Sequence, residues 1–176
     1  EDTVKIIEKA TKAFTDSNVS MADDAIAISD QTGNKALALD ELVIRILAKQ
    51  SPVARDLRIL VSALRISASL ERMGALSGHI AAIARYRFPG SAVPASLMST
   101  FKEMGELDVK LAKKCVQLLQ NTDVDFAREI QAEDARVDEL HRHIFDVVLA
   151  DDWKENAMFT VDVTLASRYH ERFADH

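Results

Sequence analysis

The chain has 176 residues, 48% of them hydrophobic and 28% charged, with a formal net charge of −6. It is too apolar for disorder and long enough to bury a substantial core, and its negative charge argues against a nucleic-acid binder, whose footprint is a basic face. Five glycines and three prolines disfavour a turn-rich all-β fold, no apolar run approaches the ~18 residues of a membrane span, and no signal peptide is visible.

Six helices are predicted in chain order. The first covers residues 1–15 and ends near Asp16-Ser17-Asn18. The second starts at Ser20, where Asp23 completes an S-x-x-D cap, and runs to Lys49, with Gly33-Asn34 marking a kink or short break. Ser51-Pro52 reads as a cap followed by proline at the first helical position, opening a third helix that reaches Tyr86. Along it Ile59, Leu60, Ala63, Leu64, Ser67 and Leu70 recur at helical period. Farther on come small residues such as Gly74, Ala75, Ser77, Gly78 and Ala81, which suit tight packing between bundles.

Pro89-Gly90 through Pro94 is the one plausible linker. Helix four spans 95–120, helix five follows Asn121-Thr122-Asp123 and reaches Ala150, and helix six starts at Asp152. The lone Cys115 excludes an internal disulfide, fits a reducing cytoplasm, and lies in the run Leu111, Cys115, Leu118, Leu119, where a small buried apolar residue is expected rather than a reactive thiol.

A second regularity has a longer period. Val61, Ser67, Glu71 and Arg72 recur as Val161, Ser167, Glu171 and Arg172, at an offset of 100 positions. Such an echo indicates duplication of a unit of roughly ninety residues, the length of a three-helix bundle. The fold class is therefore all-α, two tandem three-helix bundles, with repeats at 1–87 and 94–176. Helix three runs well past Glu71 whereas the chain stops soon after Glu171, so both repeats are expected to be incomplete at the chain ends.

The copies differ chemically, because Ala75 stands opposite Asp175. Asp134 and Asp138, like Glu171 and Asp175, are four residues apart and share a helix face. If helices five and six are antiparallel neighbours, four carboxylates meet and call for a cation or for protonation. An all-oxygen set suits a hard cation, and Mg, Mn, Fe and Zn are the candidates. The bland alternative is four solvated surface acids.

No Glu-x-x-His, Gly-rich phosphate loop, zinc spacing or nucleophile elbow is present, so neither an enzyme nor an organic cofactor is expected. His79, His141, His143 and His170 read as polar-face or half-buried packing residues. Two rival classes stay open: a histidine phosphotransfer bundle using His79 or His141, and a metal-storage or redox bundle.

Gln50-Ser51-Pro52-Val53-Ala54-Arg55-Asp56-Leu57-Arg58 followed by Leu70-Glu71-Arg72-Met73-Gly74 resembles the signature of the PhoU family, and Glu171-Arg172-Phe173-Ala174-Asp175-His176 resembles its second copy. The resemblance covers nearly the whole chain. It implies two three-helix bundles and a cytoplasmic, non-enzymatic negative regulator of phosphate uptake. Such a regulator would join a phosphate ABC transporter ATPase to a sensor histidine kinase, peripheral to the membrane through those partners, with a homodimer as a possible assembly. It also implies metal binding through E(D)-x-x-x-D motifs, which fall here on Asp134, Asp138, Glu171 and Asp175. The first copy departs from that pattern. Ala75 lacks the acid after Glu71, and helix two offers either Asp30 with Asn34 or Ala36 with Asp40, each pair one carboxylate short. Arg55, Asp56 and Arg58 are candidate partner contacts, or else a local salt-bridge and capping cluster.

Overall fold

The computed structural model describes residues 1–121 and 123–176; Thr122, inside the predicted turn before helix five, lies outside them. Among the described residues there are six α-helices and no strand: α1 (Asp2–Asp16), α2 (Val19–Gln50), α3 (Ala54–Arg87), α4 (Met98–Asn121), α5 (Val124–Val148) and α6 (Ala157–Asp175), with a single 3-10 turn (Ala95–Leu97) ahead of α4. Helices α1, α2 and α3 pack on one another, and so do α4, α5 and α6. The chain is two tandem three-helix bundles, joined where α1 meets α4 and α3 meets α6.

The shortest helix of the first bundle shows why it forms. In α1 the residues Ile6, Ile7, Ala10, Ala13 and Phe14 recur at helical spacing and are buried, while Glu8, Lys9 and Lys12 stay at or near the surface. Ser17 ends it in the left-handed conformation (φ 53°, ψ 42°). Phe14 then meets Phe101 of α4 edge-on, ring centroids 5.0 Å apart, so the core is continuous across both bundles. At the same crossing a Cβ on Gly105 would lie 2.0 Å from Thr11 Cγ2; only glycine lets α1 and α4 approach this closely. Arg87 closes the other contact, between α3 and α6, with a two-pronged ion pair to the buried Asp162, Nη2 to Oδ1 at 2.9 Å.

Several local expectations are corrected. Asn18 caps α2, not Ser20: its extended backbone lets the side chain accept from Met21 N at 3.1 Å. Helix α2 runs unbroken through Gly33-Asn34, the propensity loss of about 1 kcal/mol at one glycine being small against a long packed helix. Ser51 ends α2 instead of capping α3, since Ser51 and Ala54 both take positive φ (44° and 49°) to reverse the chain within three residues. Helix α3 therefore starts at Ala54, without a side-chain cap.

Helix α6 starts at Ala157, capped by Asn156, rather than at Asp152; Trp153 Nε1 donates to Thr160 Oγ1 at 2.9 Å and folds the intervening turn back. Asp123 does cap α5, accepting from Asp125 N and Phe126 N. The α3 glycines face inside the first bundle, Gly74 towards Ile6 and Thr32 and Gly78 towards Ser29, rather than between bundles. Ile59 is exposed, and Cys115 is half-buried, its thiol pushed up by that partial burial.

Candidate metal centre

Helices α5 and α6 form an antiparallel pair on the second bundle. His141 Nδ1 lies 3.0 Å from Ser167 Oγ, and farther along the pair Asp138 acts on Glu171 and Asp175 on Asp134. As the residue numbers fall on α5 they rise on α6. Val137, Leu140 and Ile144 of α5 and Val163, Ala166, His170 and Phe173 of α6 are buried. That leaves the carboxylates of Asp134, Asp138, Glu171 and Asp175 at the rim of this hydrophobic contact.

The charges of these groups are mutually costly. Burial, then the neighbouring charges of Asp138 and Asp175, push the Asp134 carboxyl above its ordinary range. Burial also raises Glu171; Arg168 opposes the shift, while Asp175 and Asp138 reinforce it. Arg168 Nη1 donates to Glu171 Oε1 at 2.6 Å, and Arg172 Nε approaches Asp175 Oδ2 at 3.9 Å. Asp134 Oδ1 and Glu171 Oε2 are buried with no donor in reach. Two orphaned carboxylate oxygens beside two further acids are what a hard cation relieves, so the donor chemistry fits one. As the side chains stand, no three His, Cys, Asp or Glu groups among the described residues are arranged to hold a metal ion. Arg168 is the present counter-charge to Glu171.

The matching face of the first bundle is poorer. A Cβ on Gly33 would lie 3.8 Å from Glu71 Oε1, and Ser29 Oγ donates to the Gly74 carbonyl at 3.0 Å. Gly33 of α2 thus lies against Glu71, and in either register, Asp30 with Asn34 or Ala36 with Asp40, α2 adds one carboxylate there. Two acids occupy the place where the second bundle has four.

One pair escaped the sequence reading. His170 is fully buried, not on a polar face or half-buried: its Nδ1 lies 2.7 Å from Asp108 Oδ2 of α4, and the Asp108 side chain is equally inaccessible. Burial pushes the Asp108 carboxyl up to about 6 against the stabilising bond from His170, and the charge of Asp134 adds to the rise. Asp108 Oδ1 and His170 Nε2 have no partner. Two signals in the sequence point here. Asp108 interrupts the apolar series Phe101, Met104, Leu111, and His170 stands where the first copy has Leu70.

The other histidines are peripheral. His79 is exposed and tilted against Tyr169, with ring centroids 5.1 Å apart, His141 packs edge-on to Phe145, and His143 is exposed. Arg55, Asp56 and Arg58 are exposed on the first turns of α3, and among the described residues no ion pair joins them.

Comparison with known proteins decides the family. The PhoU domain family model matches residues 1–84 and 101–176, one match on each bundle. The chain belongs to the PhoU family. It is 39% identical over 170 residues to the phosphate-specific transport system accessory protein PhoU homolog 2 of Mycobacterium tuberculosis, a match covering 97% of this chain and 80% of that protein. It is 37% identical to the PhoU homolog 1 of Mycobacterium leprae, covering 97% of this chain and 77% of that one. The fold matches the crystal structure of PhoU from Pseudomonas aeruginosa with a TM-score of 0.88, at 24% identity, over 99% of this chain and 84% of that one. No described helix of this PhoU-family chain is long and apolar enough to cross a membrane.

Proposed function

We propose that this chain is a non-enzymatic accessory regulator of phosphate uptake, acting in the cytoplasm as an adaptor between a phosphate ABC transporter's ATPase and a sensor histidine kinase. The observation that carries this reading is the family match on both bundles, with relatives at up to 39% identity named as accessory proteins of the phosphate-specific transport system. The exposed trio Arg55, Asp56 and Arg58 at the start of α3 is offered as a partner contact, because it is charged and presented on a helix end.

Within this role, Asp134, Asp138, Glu171 and Asp175 would hold a hard cation. When bound, the cation supplies the positive charge that lets four carboxylates share one face. The chain's own part is to hold two acid pairs on facing helices and to keep Asp134 Oδ1 and Glu171 Oε2 shielded from water. The first bundle, one carboxylate short on each of α2 and α3, has less reason to recruit one.

The test is genetic. Deleting the gene, together with any second homologue, is expected to leave phosphate-starvation genes expressed at ample phosphate, with repression restored by the wild-type copy. Normal repression in the deletion strain contradicts the regulatory reading. Failure of the ATPase and the kinase to co-purify contradicts the adaptor reading.

A further inference from the structure

We infer that Asp108 and His170 are positioning residues for the carboxylate cluster, locking the C-terminal part of α6 so that Glu171 faces Asp138 of α5. The inference rests on the cation reading above.

His170 and Glu171 are consecutive, so the rotation of α6 that buries the imidazole also fixes the direction in which Glu171 leaves the helix. The imidazole has little freedom. Its Nδ1 is held at 2.7 Å by Asp108 Oδ2, its ring lies 6.0 Å from that of Phe101 centroid to centroid, and its side chain is wholly inaccessible. The bond ties α6 to α4, the helix that does not contribute to the carboxylate face.

The pair also abuts the cluster: Asp134 is close enough for its charge to act on Asp108, and Asp108 Oδ1 and Asp134 Oδ1 are both buried without a donor. The first copy carries a partly buried Leu70 at this position, and buried ion pairs can be replaced by well-packed apolar residues without loss, so stability alone does not call for a buried ionisable pair. The polar pair stands in the copy that kept four acids. The copy with leucine has Ala75 in place of the fourth.

The experiment compares Mn²⁺ affinity and metal-free melting temperature for wild type, Asp108→Asn and Asp108→Ala/His170→Leu, with Asp138→Ala/Asp175→Ala as the site control. The amide introduced by Asp108→Asn keeps an oxygen acceptor for Nδ1–H. That variant is therefore expected to bind within about threefold of wild type, while the apolar double variant loses about tenfold or more. A double variant that melts with wild type yet binds weakly supports positioning. Equal affinity of wild type and the apolar double variant overturns it, as does an equal loss in Asp108→Asn, which would assign the effect to charge. If the double variant does not fold, Asp108→Ala takes its place: about a tenfold loss beside near wild-type binding in Asp108→Asn supports positioning, and unchanged affinity in Asp108→Ala overturns it. Wild type that takes up no Mn²⁺ refutes the cation reading and this inference with it, whereas binding lost only in the site control refutes the inference alone.

Discussion

Asp108 of α4 and His170 of α6 form a hydrogen-bonded pair 2.7 Å apart with neither side chain exposed to solvent. Its energetics set a pH dependence. The carboxyl of Asp108 is raised from its ordinary value of 3.8 to about 6, chiefly by burial. Between those values the folded chain keeps a proton that the unfolded chain has released. The contribution is therefore fully present below pH ~4 and is lost as pH rises through ~6, a difference on the order of 3 kcal/mol. Asp134 and Glu171, also raised, act with the same sign. Asp108→Asn cannot ionise, so urea unfolding from pH 4 to 7 should show wild type losing stability relative to the variant. A constant difference between them would contradict the raised carboxyl.

Arg87 and Asp162 are expected to behave as a buried ion pair at the junction of the bundles. Arg87→Met leaves a carboxylate that is only 6% exposed without its partner, and should cost about 3 kcal/mol or more by denaturant unfolding. Replacing both, as Arg87→Met/Asp162→Leu, should recover most of that loss. A double variant no better than the single would show that the pair contributes more than charge compensation.

The α1–α4 crossing allows little room. Gly105→Ala would force a methyl to within 2.0 Å of Thr11 Cγ2, so the helices must part or Thr11 must shift. A loss of about 2 kcal/mol is expected despite alanine's better helix propensity. An unchanged or raised melting temperature would mean that the two bundles have slack at this contact.

How much of this was legible in the sequence depends on the range of the interaction. The helical period of α1 and the echo of Glu71-Arg72 at Glu171-Arg172 are local or repetitive signals, and they yielded six helices in two bundles. Helix starts were harder, because Asn18 and Ser20 are both competent caps within two residues and backbone geometry chose between them. Pro52 suggested a helix start, but the tight α2–α3 reversal needed left-handed residues at Ser51 and Ala54 instead. The acid pairs could be seen as neighbours along each helix, whereas their mutual electrostatics needed α5 and α6 together. Asp108 and His170 lie 62 positions apart, and only packing makes partners of them.

In the proposed reading the second bundle, and not the first, carries a cation on Asp134, Asp138, Glu171 and Asp175. The most direct measurement is calorimetric titration of Mn²⁺ into metal-stripped wild type, Asp138→Ala/Asp175→Ala and Glu71→Ala proteins. Wild type and Glu71→Ala are expected to bind with the same affinity and stoichiometry, and the double variant about tenfold more weakly or not at all. Equal binding by wild type and the double variant would contradict the site, and loss of binding in Glu71→Ala would contradict the asymmetry between the copies.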